Sequence, residues 1–216
     1  MNTSELTDDS LPTVVADELR RLIVRGTLLP GEHLGQTQLA KQFGRSKVPI
    51  REALKLLATE GFLRHDRNRG YFVPALDYSE ALQLYGLRRW LEVKLLETAE
   101  WPSAEWVKGM RPRFDALDQL NQHRDFAQWS EMLGQLRLEI FSLSPQKVLL
   151  HEARRLWTLT DRYRSMFPRS TEASPERKLV DALEARDRDR LISEYLAARQ
   201  RVESALEQAF NVDAAA

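Results

Sequence analysis

The chain contains no cysteine. That excludes disulfides, thiolate metal sites and thiol nucleophiles. Glycine is scarce, at nine in 216 residues, and those present build neither a phosphate-cradling loop nor a nucleophile elbow. Histidine is scarcer still: the four, at positions 33, 65, 123 and 151, stand in no metal-ligand spacing. No apolar run approaches the roughly 18 residues of a membrane helix. The first ten residues are polar and acidic, unlike a secretory leader. Net charge is absent too, since 32 Lys+Arg balance 32 Asp+Glu. These absences argue against an enzyme, a cofactor carrier and a membrane protein. A cytoplasmic globular protein without metal or cofactor is expected.

The zero net charge hides an uneven distribution. Residues 12–75 hold 11 Lys+Arg against 6 Asp+Glu, a net +5. Residues 1–11 carry three acids and no base, and residues 76–216 hold 21 Lys+Arg against 23 Asp+Glu. Positive charge is therefore concentrated in one stretch, as phosphate contact and counterion release require.

That stretch has an order of its own. A first helix carries Val15, Leu19, Leu22 and Ile23 on one side and ends at Gly26. A short helix over 36–43 follows, then a tight turn at Gly44. Ser46 is placed to cap the next helix with its hydroxyl, and Pro49 falls in the first turn, where a missing N–H costs little. Ile50, Ala53, Leu54 and Leu57 form one buried stripe. With Ile50 at zero, Lys47, Arg51 and Lys55 fall at roughly 60–140°, an outward cationic face. Gly61 stops the helix. Residues 62–65 and 70–73 read as two strands around the tip Asp66-Arg67-Asn68-Arg69. Singly, each cation fits an ordinary solvated surface. The order of capped helix, turn, cationic helix and basic hairpin is that of a winged helix-turn-helix, which sets its second helix in the major groove of duplex DNA.

The same residues resemble the winged-helix domain of the GntR family of bacterial regulators. The matching stretches are Leu29-Pro30-Gly31-Glu32-His33-Leu34, Ser46-Lys47-Val48-Pro49-Ile50-Arg51-Glu52-Ala53-Leu54, Leu57-Ala58-Thr59-Glu60-Gly61-Phe62-Leu63 and Asn68-Arg69-Gly70-Tyr71-Phe72-Val73. The resemblance implies DNA contact by Thr37, Arg45, Ser46, Lys47, Val48, Arg51, Arg67, Asn68, Arg69 and Gly70. Two positions depart from the usual pattern. Lys47 stands where Arg is commoner, which keeps the charge but loses the bidentate fork that reads guanine. Thr37 stands where some members have a DNA-touching Arg.

After Pro74-Ala75-Leu76 the pattern changes to helix after helix, with no strand-like alternation. Helices are expected over about 78–100, 103–121, 125–143, 146–166, 176–185 and 187–210, with a frayed tail after them. The five tryptophans are expected mainly in the core. The fold class is thus mainly α: a disordered tail over 1–11, a winged helix-turn-helix over 12–74 and an all-helical bundle over 77–210.

This second half resembles the FCD-type helical domain of the FadR subfamily of GntR regulators. The resemblance rests on Ala81-x-x-x-Tyr85-x-x-Arg88-x-x-Leu91-Glu92, on Ile140-Phe141 through Leu156-Trp157, and on Leu179-Val180-Asp181-Ala182-Leu183-x-x-x-Asp187. Many members hold a divalent metal there with one Asp and three His. Those positions fall here on Leu133, Arg137, Glu176 and Ala198, a set that includes no metal-binding histidine. The resemblance therefore implies an effector site at Arg88, Leu133, Arg137, Glu176 and Ala198 without metal. Its guanidiniums would take an anionic small molecule. Alternatively, Arg137 is a structural bridge to Glu92 or Glu176.

Two functions are open from sequence. One is a homodimeric repressor on a palindromic double-stranded operator, controlled by a small-molecule effector. The other is a ligand-independent, architectural DNA-binding protein.

Overall fold

The structure is a computed structural model and describes residues 11–123, 126–163 and 175–213. The described residues divide into two compact units, one within Met1–Asp77 and Thr158–Ser165, the other within Tyr78–Trp157 and Met166–Ala216. The tail expected over 1–11 lies outside the described residues except for Leu11, which opens the first helix.

The first unit contains α1 (Leu11–Val24), β1 (His33–Leu34), α2 (Gln36–Phe43), α3 (Lys47–Thr59), β2 (Arg64–Asp66) and β3 (Gly70–Phe72). Helix α3 packs its predicted stripe inward: Ile50, Ala53, Leu54 and Leu57 are all fully buried. They meet Val15, Leu19 and Ile23 of α1 and Leu39 of α2 in one apolar core. Burying each such Leu or Ile contributes on the order of 1.5–3 kcal/mol. The strands form an antiparallel sheet in the order β1-β3-β2, with Leu34 opposite Tyr71 and Asp66 opposite Gly70. The wing hairpin forms, but its first strand is Arg64–Asp66 where 62–65 was expected, so Phe62 and Leu63 are left to the core and Asp66 joins the strand; β1 was not expected, because two residues are too short to show alternation.

The second unit has helices and no strand among its described residues: α4 (Tyr78–Glu97), α5 (Ala104–Gln122), α6 (Phe126–Phe141), α7 (Lys147–Asp161), α8 (Glu176–Glu184) and α9 (Arg188–Asp213). The last residues of α7 fall within the first unit. Ser103 caps α5 by accepting from the Trp106 N–H at 3.1 Å. Helix α9 runs through Asn211 to Asp213, residues expected to fray. The core gathers Leu95, Leu96, Met110, Phe114, Leu117, Leu133, Leu136 and Ile140.

Helix α4 departs most from its sequence reading. Its buried face includes Arg88 and Glu92, while Leu82, Leu87 and Trp90 are exposed. Leu82 was expected inside, and Trp90, at 59% exposure, is not a core residue. Ala81, Tyr85, Leu91, Leu95 and Leu96 share the buried face with this charged pair.

Candidate nucleic-acid interface and buried charge cluster

Helix α2 ends at Gly44, whose φ of +60° is left-handed, a conformation that costs a residue with a Cβ about 1–2 kcal/mol. The Arg45 N–H then donates to Ala40 O at 3.0 Å, closing the turn. Ser46 occupies the N-cap of α3 with extended backbone, yet its hydroxyl makes no capping bond. The expected cap is therefore only positional, and the exposed hydroxyl is left at the positive end of the helix.

Thr37, Arg45, Ser46, Lys47, Val48 and Arg51 are all exposed. Arg51 Nε meets Glu52 Oε1 at 3.3 Å, and Lys55 Nζ meets the same oxygen at 3.0 Å. Glu52 is held below the usual carboxylate range, chiefly by Lys55. Such exposed pairs are worth about 0–1 kcal/mol and exchange readily for a phosphate.

At the wing tip, Asp66 Oδ1 accepts the N–H groups of Asn68 and Arg69, each at 2.8 Å. These two bonds, with that of Asn68 foremost, lower the Asp66 carboxyl pKa. They fix the backbone while Arg67, Asn68 and Arg69 remain exposed. Gly70 closes the loop at φ +81°, and a Cβ there would meet His33 Nε2 at 3.0 Å.

The bundle holds its charges differently. Arg88 Nε donates to Glu92 Oε1 at 2.9 Å, and both residues are buried. Trp157 Nε1 donates to the same oxygen, and the Tyr195 hydroxyl donates to Glu92 Oε2. Burial alone would push the Glu92 carboxyl up; Arg88, then Arg199, Tyr195 and Trp157 more than offset it and hold Glu92 below the usual range. Burial and the adjacent Glu92 charge push the Tyr195 hydroxyl well up, keeping it a donor. Arg137 Nε donates to Glu176 Oε1 at 2.7 Å, and its Nη2 donates to the same atom. Of the two alternatives open from sequence, this geometry is the bridge to Glu176.

Arg137, Glu176 and Ala198 line one small cavity, about 10 Å³, together with Glu92, Tyr195 and Arg199. That is room for about one water molecule. Two expected site residues stand elsewhere. Leu133 is buried among the apolar residues of the core, where its four-carbon side chain belongs. Arg88 is not on the cavity wall but is bonded to Glu92, which is. Among the described residues no group of three or more His, Cys, Asp or Glu is placed to hold a metal ion. Tyr195 and Arg199 were not anticipated. The Arg88/Glu92 spacing of i, i+4 was a visible signal; Arg199 had none, since its neighbours come from distant helices.

The pattern of the FCD domain matches residues 83–197, more than half the chain, and that of "Bacterial regulatory proteins, gntR family" matches residues 11–73. The chain belongs to the gntR family and carries an FCD domain. This gntR-family chain is 40% identical over 81 residues to the HTH-type transcriptional regulator YdhC of Bacillus subtilis (strain 168), a match covering 38% of this chain and 36% of that protein. It thus spans only about a third of the length of that relative. It is 27% identical over 165 residues to the HTH-type transcriptional repressor GlaR of Escherichia coli (strain K12), covering 73% of this chain and 74% of GlaR. The solved structure of E. coli McbR/YncC superposes with a TM-score of 0.77 at 23% identity, over 93% of this chain and 99% of that one. That likeness is one of fold. Among the described residues no helix is long and apolar enough to cross a membrane.

Proposed function

We propose that the chain is a cytoplasmic transcriptional repressor that binds a palindromic operator as a homodimer and responds to a small-molecule effector in its helical bundle. It acts by binding and not by catalysis. The observation that carries the DNA reading is the exposed cationic surface of α3 and the wing. Lys47 and Arg51 supply charge and base-edge donors, and the Ser46 hydroxyl and wing arginines supply phosphate contacts. Val48, at 59% exposure beside them, is suited to a thymine methyl. Repression is supported by the likeness to GlaR. Self-association is supported by the outward Leu82, Leu87 and Trp90 of α4, an apolar face costly to leave in water.

The effector reading rests on the cavity lined by Arg137 and Arg199, whose guanidiniums suit an anionic group. The closed Arg137–Glu176 pair and the small cavity favour the second reading, a DNA-binding protein without a ligand. The tests are direct. Selection from a random duplex pool should return an inverted repeat, and sedimentation should give a dimer. Arg51→Ala should weaken the selected duplex by about 1–3 kcal/mol in a binding titration. An unchanged affinity would remove α3 as the reading helix.

A further inference from the structure

The wing carries one acid among its cations. Asp66 stands between His65 and Arg67, with Arg64 and Arg69 close by in the chain. A carboxylate on a surface that meets phosphates weakens binding, because like charges repel. Its geometry shows another use. Asp66 is the last residue of β2 and pairs with Gly70, the first of β3, so the loop between them is Arg67, Asn68 and Arg69. Such a three-residue hairpin loop is followed by a left-handed residue, and Gly70 supplies it at φ +81°. The Asp66 side chain then reaches back over the loop. One oxygen, Oδ1, accepts the Asn68 and Arg69 N–H groups at 2.8 Å each. At the base of the hairpin, the His65 and Tyr71 rings meet with centroids 4.5 Å apart, one from each strand. The backbone of the tip is therefore pinned, while the side chains of Arg67, Asn68 and Arg69 are exposed.

Resting on the reading of the wing as a DNA contact, we infer that Asp66 is a positioning residue for DNA binding. Its carboxylate holds the tip so that Arg67 and Arg69 meet the duplex already oriented. Entropy gives the reason. A free tip must be ordered at the moment of binding, which costs conformational freedom. A tip ordered beforehand avoids that loss. The role is carried by hydrogen bonding and not by charge, so an amide oxygen at the same place serves as well. The negative charge works against phosphate contact, and the pinned backbone more than compensates for it.

The test compares Asp66→Asn with Asp66→Ala in the full chain. Both lose the negative charge, and only Asn keeps an acceptor oxygen. The probe is a random-sequence duplex titrated over a series of salt concentrations, since phosphate contact needs no particular sequence. Asp66→Asn should bind at least as tightly as wild type, with the same log–log slope. Asp66→Ala should bind roughly five- to thirtyfold more weakly than Asp66→Asn at about 0.15 M salt, its slope lower by about one to two units. In the free protein, hydrogen exchange at the Asn68 and Arg69 amides should be slowed in wild type and Asp66→Asn but not in Asp66→Ala. The double replacement of Arg67 and Arg69 by Ala is the reference for wing contact. If it lowers the slope and Asp66→Ala does not, the inference falls and the wing reading stands. If neither lowers the slope, the wing reading falls and takes the inference with it. Equal binding by Asp66→Asn and Asp66→Ala would also overturn the assignment, because charge alone would then explain both. Should Asp66→Ala not fold, Asp66→Ser takes its place. Its short hydroxyl is the weaker acceptor, so binding as tight as that of Asp66→Asn would sink the inference.

Discussion

Arg51 and Arg88 are the same side chain in opposite settings. Arg51 is 52% exposed and makes one long contact to a carboxylate that also serves Lys55. Arg88 is 4% exposed and bonded to a carboxylate that also takes Trp157 and Tyr195. In the winged helix the cations keep their hydration and can trade a weak intramolecular partner for a phosphate. In the bundle they have already given up water, so each must be matched where it stands. A charge near solvent is a resource for binding, whereas a charge in the core is a constraint on what may sit beside it.

The strongest way to break this comparison is to remove a buried partner. Glu92→Gln strands Arg88 and should cost about 3–5 kcal/mol, read as a lower denaturation midpoint of the bundle. A loss under about 1 kcal/mol would mean that the cluster is solvated and no different from the surface. Next in size is Gly44→Ala. No atom lies within 4 Å of the added Cβ, so only the left-handed backbone is penalised, by about 1–2 kcal/mol. Calorimetry would measure it, and a neutral outcome would show that the turn relaxes.

Replacing Arg67 and Arg69 together by Ala should leave the melting temperature within about 1 °C, since surface changes are small. The log–log salt slope of DNA binding should fall by up to about two units. An unchanged slope would place the wing off the DNA. The same pair can be probed in acid. Glu92 is held below its unfolded range, so its contribution to stability is complete above the unfolded carboxylate pKa, about 4.3. It is lost as pH falls from there through the lower folded value. Glu92→Gln should remove that component from the pH–stability curve, and a curve of unchanged shape would exclude it.

Legibility followed the same division. The stripe of α3, the turn at Gly44 and the basic hairpin could be read from sequence because each depends on near neighbours in the chain. The two-residue β1 could not, since its pairing with β3 is a matter of tertiary register. Helix α4 was legible in part: Ala81, Tyr85, Leu91 and Leu96 are buried as expected, whereas Leu82 and Trp90 face out and an i, i+4 ion pair faces in. The cavity was reached only in part. Of the residues picked out by position-by-position resemblance, Arg137, Glu176 and Ala198 line one cavity, whereas Leu133 packs in the apolar core. Arg199 was missed altogether: its setting is made by Glu92 of α4, Arg137 of α6 and Glu176 of α8, and no local pattern records that meeting.

One consequence of the cluster is optical. The Trp157 indole donates its N–H to Glu92, while Trp90 stands exposed on the outer face of α4. An indole's emission energy follows the electric field along its ring, and the Glu92 charge sits at the N–H end of that axis. A ligand bound in the cavity that Glu92 lines would change this field without touching the ring. Trp157 therefore gives the bundle a built-in fluorophore for its own cavity. Binding there should register as a shift in emission wavelength that a quencher confined to solvent, which reaches Trp90 first, leaves in place.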